Sequence, residues 1–110
     1  MKIAMPIAEG ALCRHFGHCE QFGIVPVHGD GIGEIEMLQP PPHEPGVLPR
    51  WLHEQGVNVV LAGGMGMRAQ ELFRSYGIEV VVGVEPGPPA VVAKAFVDGN
   101  LVTGANACDH

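Results

Sequence analysis

From Leu48 to Val97 the chain reads as helix, strand, helix, strand, helix, and this alternation constrains the fold more than any other feature. Leu48 to Gln55 is predicted helical, with Gly56 as its stop. Val57 to Ala62 is an apolar run of strand length. Met67 to Tyr76 is a second helix closed by Gly77, and Ile78 to Val82 a further strand. Pro88 and Pro89 open a third helix running to Val97, because proline loses nothing in a first turn, and Asp98-Gly99 ends it. Strands joined through helices run parallel with right-handed crossovers, so helices cover the sheet.

The first third is different. Lys2 to Ile7, Phe22 to Val27 and Ile32 to Leu38 are predicted strands, the last two joined through His28-Gly29-Asp30-Gly31, whose Asp-Gly pair is a hairpin signal. Glu9 to Gln21 is predicted to be a long loop. Gln39 to Gly46 carries four prolines, which fix φ and remove donors, so it is a loop too. The order is β-β-β-α-β-α-β-α, an α/β fold with a mixed five-stranded sheet and helices on both faces. No repeat or linker divides it, and residues 1–110 are expected to form a single domain.

If the second strand runs against the other four, the carboxyl ends of those four share one edge. The loops Glu9–Gln21, Pro40–Gly46, Gly63–Gly66 and Gly83–Gly87 then lie together there, where open α/β sheets bind ligands. The tail from Gly99 spans up to roughly 40 Å when extended. Sequence alone does not say whether it turns back to that edge.

Composition narrows the function. Hydrophobic residues are 46% of 110, enough for one core, and aromatics only 5%, so the core is aliphatic with methionine. No run approaches the roughly 18–20 apolar residues of a membrane span. Met1 to Ile7 reads as a strand, not a signal peptide, so the expected compartment is the reducing cytosol, where the three cysteines are thiols or metal ligands. A net charge of −6 with two Lys and four Arg gives no basic stripe, which argues against nucleic acid as a partner.

Cys13-Arg14-His15-Phe16-Gly17-His18-Cys19 packs four potential ligands into seven residues. Thiolate and imidazole together suit zinc, copper or iron rather than magnesium or calcium. Gly17 permits a tight turn on which these side chains converge. Cys108-Asp109-His110 supplies another pair, and His43 sits on a facing loop. The bland alternative is solvated histidines and space-filling cysteines. No Cys-x-x-Cys is present, so the metal stays open.

Ala62-Gly63-Gly64-Met65-Gly66-Met67-Arg68 is a strand, a glycine turn and a helix start, which exposes backbone N–H groups at the positive end of a helix dipole. It lacks the Lys-Ser/Thr of a P-loop and is not Gly-x-Gly-x-x-Gly, so a nucleotide pocket is disfavoured. The glycines either permit a tight turn only or bind an anion, and an anionic metal cluster fits the second reading. Catalytic readings are weaker. Cys19 and His18 are adjacent and do not face each other, no carboxylate pair stands at strand ends, and Glu9, Glu20 and Glu85 read as solvated. Met5, Met37, Met65 and Met67 read as core or loop filling.

These residues carry a resemblance. Met1-Lys2-Ile3-Ala4, His15-Phe16-Gly17-His18-Cys19, His43-Glu44-Pro45-Gly46, Gly63-Gly64-Met65-Gly66 with Arg68-Ala69, Gly77-Ile78, Gly99-x-Leu101 and Asn106-x-Cys108-Asp109-His110 follow one another in order. The sequence resembles the dinitrogenase iron–molybdenum cofactor biosynthesis family, the domain of NifX-type and NifY-type accessory proteins and of the C-terminal part of NifB. The resemblance implies an RNase H-like three-layer fold and no enzymatic activity. It implies binding or carriage of an iron–sulfur or molybdenum–iron precursor cluster between donor and acceptor proteins, and it leaves a homo-oligomer open. By position His15, His18 and Cys19 become cluster contacts, with Gly63, Gly64, Met65, Gly66 and Arg68 lining the same cleft. Cys13 lies outside the family pattern. The chain reads as a stand-alone domain, without the radical-SAM portion of NifB, and such members occur outside nitrogen fixation. The favoured ligands are His15, His18, Cys19, Cys108 and His110, with Cys13 and His43 as further candidates. A simple zinc or iron module for sensing, storage or docking is the alternative, and a small-anion enzyme ranks last.

Overall fold

The computed structural model describes residues 1–13, 19–29, 31–42, 44 and 46–104. Among them the chain forms β1 (Lys2–Ala8), β2 (Ala11–Leu12), β3 (Gln21–His28), β4 (Gly31–Ile32), β5 (Glu36–Leu38), α1 (Val47–Glu54), β6 (Val59–Leu61), α2 (Met67–Ser75), β7 (Glu79–Val81) and α3 (Pro89–Val97). The sheet order is β4-β3-β1-β6-β7, with β2 paired to β1 and β5 to β3. β3 runs antiparallel to β1 and β5, while β6 runs parallel to β1 and β7 parallel to β6. The expected polarity is therefore present, and the loops after β1, β5, β6 and β7 leave the same edge.

Two expectations are corrected, and together they turn five predicted strands into seven. Ile32 to Leu38 is not one strand. Val27 pairs with Ile32 but Ile24 pairs with Glu36, so β4 and β5 are separated by one residue more than the facing strand supplies. Pro26 explains the bulge: its carbonyl accepts from Gly33 N–H at 2.8 Å, but it has no N–H to return. The second correction lies in the loop predicted over Glu9–Gln21. Glu9 and Gly10 both take positive φ, 54° and 78°, which makes a two-residue hairpin and pairs Ala8 with Ala11.

β1 is buried along both faces because it is the central strand, and its side chains alternate between two cores. Ala4 packs with Phe22, Ile24 and Val60 against Leu48 and Leu52 of α1 and Phe73 of α2. Ile3, Met5 and Ile7 pack with Val25, Val59 and Leu61 against Val92 and Ala93 of α3. The result is three layers: α1 and α2, the sheet, and α3. Among the described residues no helix is long and apolar enough to cross a membrane.

Candidate functional site

The cysteine loop is clamped at both ends to β1. Cys13 N–H donates to Pro6 O at 2.7 Å, and Glu20 N–H donates to Ile7 O at 2.9 Å. Glu20 Oε1 also accepts from Glu9 N–H at 3.0 Å, fastening the loop base to the β1–β2 turn. Pro6 suits its place. It lies just beyond the last β1–β6 pair, Ala4 with Val60, where its carbonyl accepts from Cys13 N–H and it has no N–H to return.

The β1–β2 register puts Cys13 opposite Pro6, on the side of the sheet that Ala4 shares with α1 and α2. Cys19 packs against that same core. Two cysteines six positions apart thus straddle the carboxyl end of β1 on one face. Both are half-buried thiols. Burial pushes the Cys19 thiol up from 9.0 to about 11, and the neighbouring Cys13 adds to the rise. At neutral pH Cys19 is therefore a neutral thiol, and a bound metal ion is what would displace its proton.

β6 is the neighbour of β1 and runs with it, so the glycine turn leaves the sheet beside the cysteine loop. Gly63, Gly64 and Met65 are buried, whereas Gly66, Met67 and Arg68 are exposed. α2 starts at Met67 with Gly66 as its cap, which gives no side-chain cap bond, and its first turn carries no acidic residue. Gln70, the one buried polar side chain among the described residues, donates from Nε2 to Met65 O at 2.8 Å. Its Oε1 accepts from Arg74 at 3.2 Å. A trans peptide points its carbonyl and amide in opposite directions, so drawing Met65 O inward turns Gly66 N–H outward. Sequence reasoning missed Gln70. Its signal was a polar residue three positions before the buried Phe73, on the stripe of α2 that faces the core.

Of the expected ligands, Cys13 and Cys19 are brought together by the fold, while His15, His18, His43, Cys108 and His110 lie outside the described residues. Among the described residues no three His, Cys, Asp or Glu side chains gather at one point. Gly63, Gly64, Met65 and Gly66 follow β6, which runs parallel to β1, and so leave the sheet at the same edge as the cysteine loop. Arg68 stands in the first turn of α2, exposed.

Residues 1–99 match the family described as dinitrogenase iron-molybdenum cofactor. The chain belongs to that family. Within it, an uncharacterized protein of Methanocaldococcus jannaschii, MJ0580, is 34% identical over 106 residues, covering 92% of this chain and 89% of its own. The crystal structure of PH0822 superposes with a TM-score of 0.86 at 36% identity, over 94% of each chain. The apo form of the orange protein from Desulfovibrio gigas has a TM-score of 0.75 at 23% identity, over 96% of this chain and 93% of that one. At that identity the likeness is one of fold. The family's iron-molybdenum cofactor gives a chemical context to the site, in which soft thiol donors stand beside amides suited to anionic charge.

Proposed function

We propose that this protein binds and hands over an anionic iron–sulfur or molybdenum–iron–sulfur cluster at the carboxyl edge of its sheet, and catalyses no reaction. The observation that carries the reading is the meeting of Cys13 and Cys19 on one face, beside the uncapped start of α2. Iron in such clusters is held by thiolates. The cluster's remaining negative charge is favoured by the outward amides of the Gly63–Gly66 turn and α2, and by Arg68. His15, His18, Cys108 and His110 complete the ligand set, with His43 from the facing loop. The high Cys19 pKa suits a carrier, because Cys19 stays a neutral, unreactive thiol until metal arrives. Family membership supports the type of cargo, and with it donor and acceptor proteins in the cytosol as partners. We assign the layered sheet to the RNase H-like fold and take residues 1–110 as one domain.

The test is elemental analysis with an absorbance spectrum on protein purified without air, beside a Cys13→Ser/Cys19→Ser variant. Iron or molybdenum with sulfide, lost in the variant, is the expected result. A colourless protein that holds zinc alone would replace the cluster by a single ion. A metal-free protein that takes up no added cluster would leave a small α/β docking module.

A further inference from the structure

Glu20 holds β1 at two points. Carbonyls alternate sides along a strand, and Pro6 O accepts from Cys13 N–H on the β2 side while Ile7 O accepts from Glu20 N–H on the β3 side. Ala8, next in the alternation, pairs with Ala11 and turns its carbonyl toward β2. The trans peptide that follows therefore turns Glu9 N–H toward the β3 side. β3 begins only at Gln21, and among the described residues no backbone carbonyl meets that amide. Glu20 Oε1 accepts from it instead, at 3.0 Å. The backbone of Glu20 thus grips Ile7 while its carboxylate grips Glu9.

The turn that carries this amide goes against local preference. Glu9 stands at φ 54°, the one non-glycine among the described residues at positive φ, where glycine or asparagine is the ordinary choice. A residue held in that region depends on support from its surroundings, and the Glu20 carboxylate is part of it. Both cysteines are referred to the same short stretch of β1. Cys13 is fixed through its own N–H on Pro6, and Cys19 through the peptide it shares with Glu20. With the Ile7 bond alone, residue 20 could pivot about β1. The bond to Glu9 removes the pivot and sets the direction from which Cys19 enters the site.

We infer that Glu20 is a positioning residue, whose two-point hold on Ile7 and Glu9 sets Cys19 against Cys13 for the metal without itself touching it. This rests on the metal-binding reading above and deepens it. A pair of ligands ordered before the metal arrives loses less freedom on binding, so affinity rises. Glu20 is exposed, and its bond to Glu9 lies at the surface. Losing that bond loosens the loop base locally and leaves the global fold in place.

The experiment compares Glu20→Ala and Glu20→Gln with the parent, as reduced full-length protein without air. Co2+ is titrated while the thiolate-to-cobalt charge-transfer band is followed, and urea unfolding is measured on the same samples. Glu20→Ala, which loses the acceptor, is expected to bind cobalt about tenfold more weakly, with a nearly unchanged unfolding midpoint. Glu20→Gln keeps a side-chain oxygen at the same reach and is expected to restore the parent's affinity. Without metal, alkylation of Cys19 by iodoacetamide, followed by mass spectrometry, should be faster in Glu20→Ala and parent-like in Glu20→Gln. Parent-like affinity in Glu20→Ala overturns the inference. So does a Glu20→Gln as weak as Glu20→Ala, which makes the carboxylate a ligand or a required charge. A fall in the midpoint large enough to account for the lost affinity also overturns it, because the residue is then structural. Loss of binding in Cys13→Ser/Cys19→Ser beside a parent-like Glu20→Ala sinks the inference alone. Parent-like binding in the double serine variant, or none in the parent, sinks the metal-site reading and the inference with it.

Discussion

The two edges of the sheet are finished in opposite ways. At the amino edge the chain satisfies its own backbone. Lys2 N–H donates to Asn58 Oδ1 at 2.8 Å, Asn58 N–H to Lys2 O and Glu79 N–H to Asn58 O, both at 2.9 Å. Lys2 Nζ donates to Gln55 O at 3.1 Å, placing a cation on the negative end of α1. At the carboxyl edge the first turn of α2 carries no acidic residue and its Gly66 cap gives no side-chain bond, and among the described residues two thiols stand beside it. The comparison teaches that the amino edge is closed by its own backbone bonds, whereas the carboxyl edge is where the proposed ligand would bind.

Substitutions at the two edges should therefore separate stability from uptake. The largest effect is expected for Gln70→Leu, which removes the donor from the Met65 carbonyl. Losing that hydrogen bond and the one that Arg74 gives to Gln70 Oε1 costs about 0.5–1.5 kcal/mol each, read in urea unfolding. The same variant should also weaken metal or cluster retention, since the Gln70 bond that orients the Met65–Gly66 peptide is lost. Retention equal to the parent's would show that the turn is set without Gln70. Asn58→Ala, at the other edge, should cost about 1 kcal/mol in the same unfolding measurement and leave metal uptake unchanged. Any loss of uptake there would break the division between the edges.

A smaller, pH-dependent difference belongs to Cys19. Its folded pKa of about 11 stands above the ordinary 9.0, so the folded state keeps its proton where the unfolded state has lost it. Metal-free protein should hold its full Cys19 contribution below pH 9, lose it progressively between pH 9 and 11, and show no such loss in Cys19→Ser. Iodoacetamide should correspondingly label Cys19 more slowly at pH 8 than an unperturbed thiol, with the rate rising toward pH 11. The smallest effect is expected for Lys2→Met, about 0.3–1 kcal/mol in unfolding and reduced by salt, because the ammonium is exposed.

Much of this architecture was legible beforehand because it is written in local patterns. The helix stops Gly56, Gly77 and Gly99 follow the last helical turns with φ between 76° and 82°, and a hairpin pairs His28 with Gly31, although Gly31 stands in β4 and Asp30 lies outside the described residues. Cys13 and Cys19 were visible as a cluster by spacing. The β1–β2 hairpin was not, because Glu9 at positive φ is an uncommon choice for such a turn. The break between β4 and β5 was hidden as well, since its cause, Pro26, lies on the facing strand.

The sequence by itself determined the order of the main strands and helices, though not β2 or the break between β4 and β5, and the set of loops that share the carboxyl edge once the second strand runs against the others. Those follow from hydrophobic period, turn residues and chain connectivity, which neighbours along the chain decide. Only the tertiary structure decided that Cys13 and Cys19 meet across β1, that Gln70 turns the Met65 peptide, and that Glu20 bonds both Ile7 and Glu9. Each of these depends on hydrogen-bond or packing partners that only the assembled sheet and its layers bring together, and no local pattern records which partner that will be.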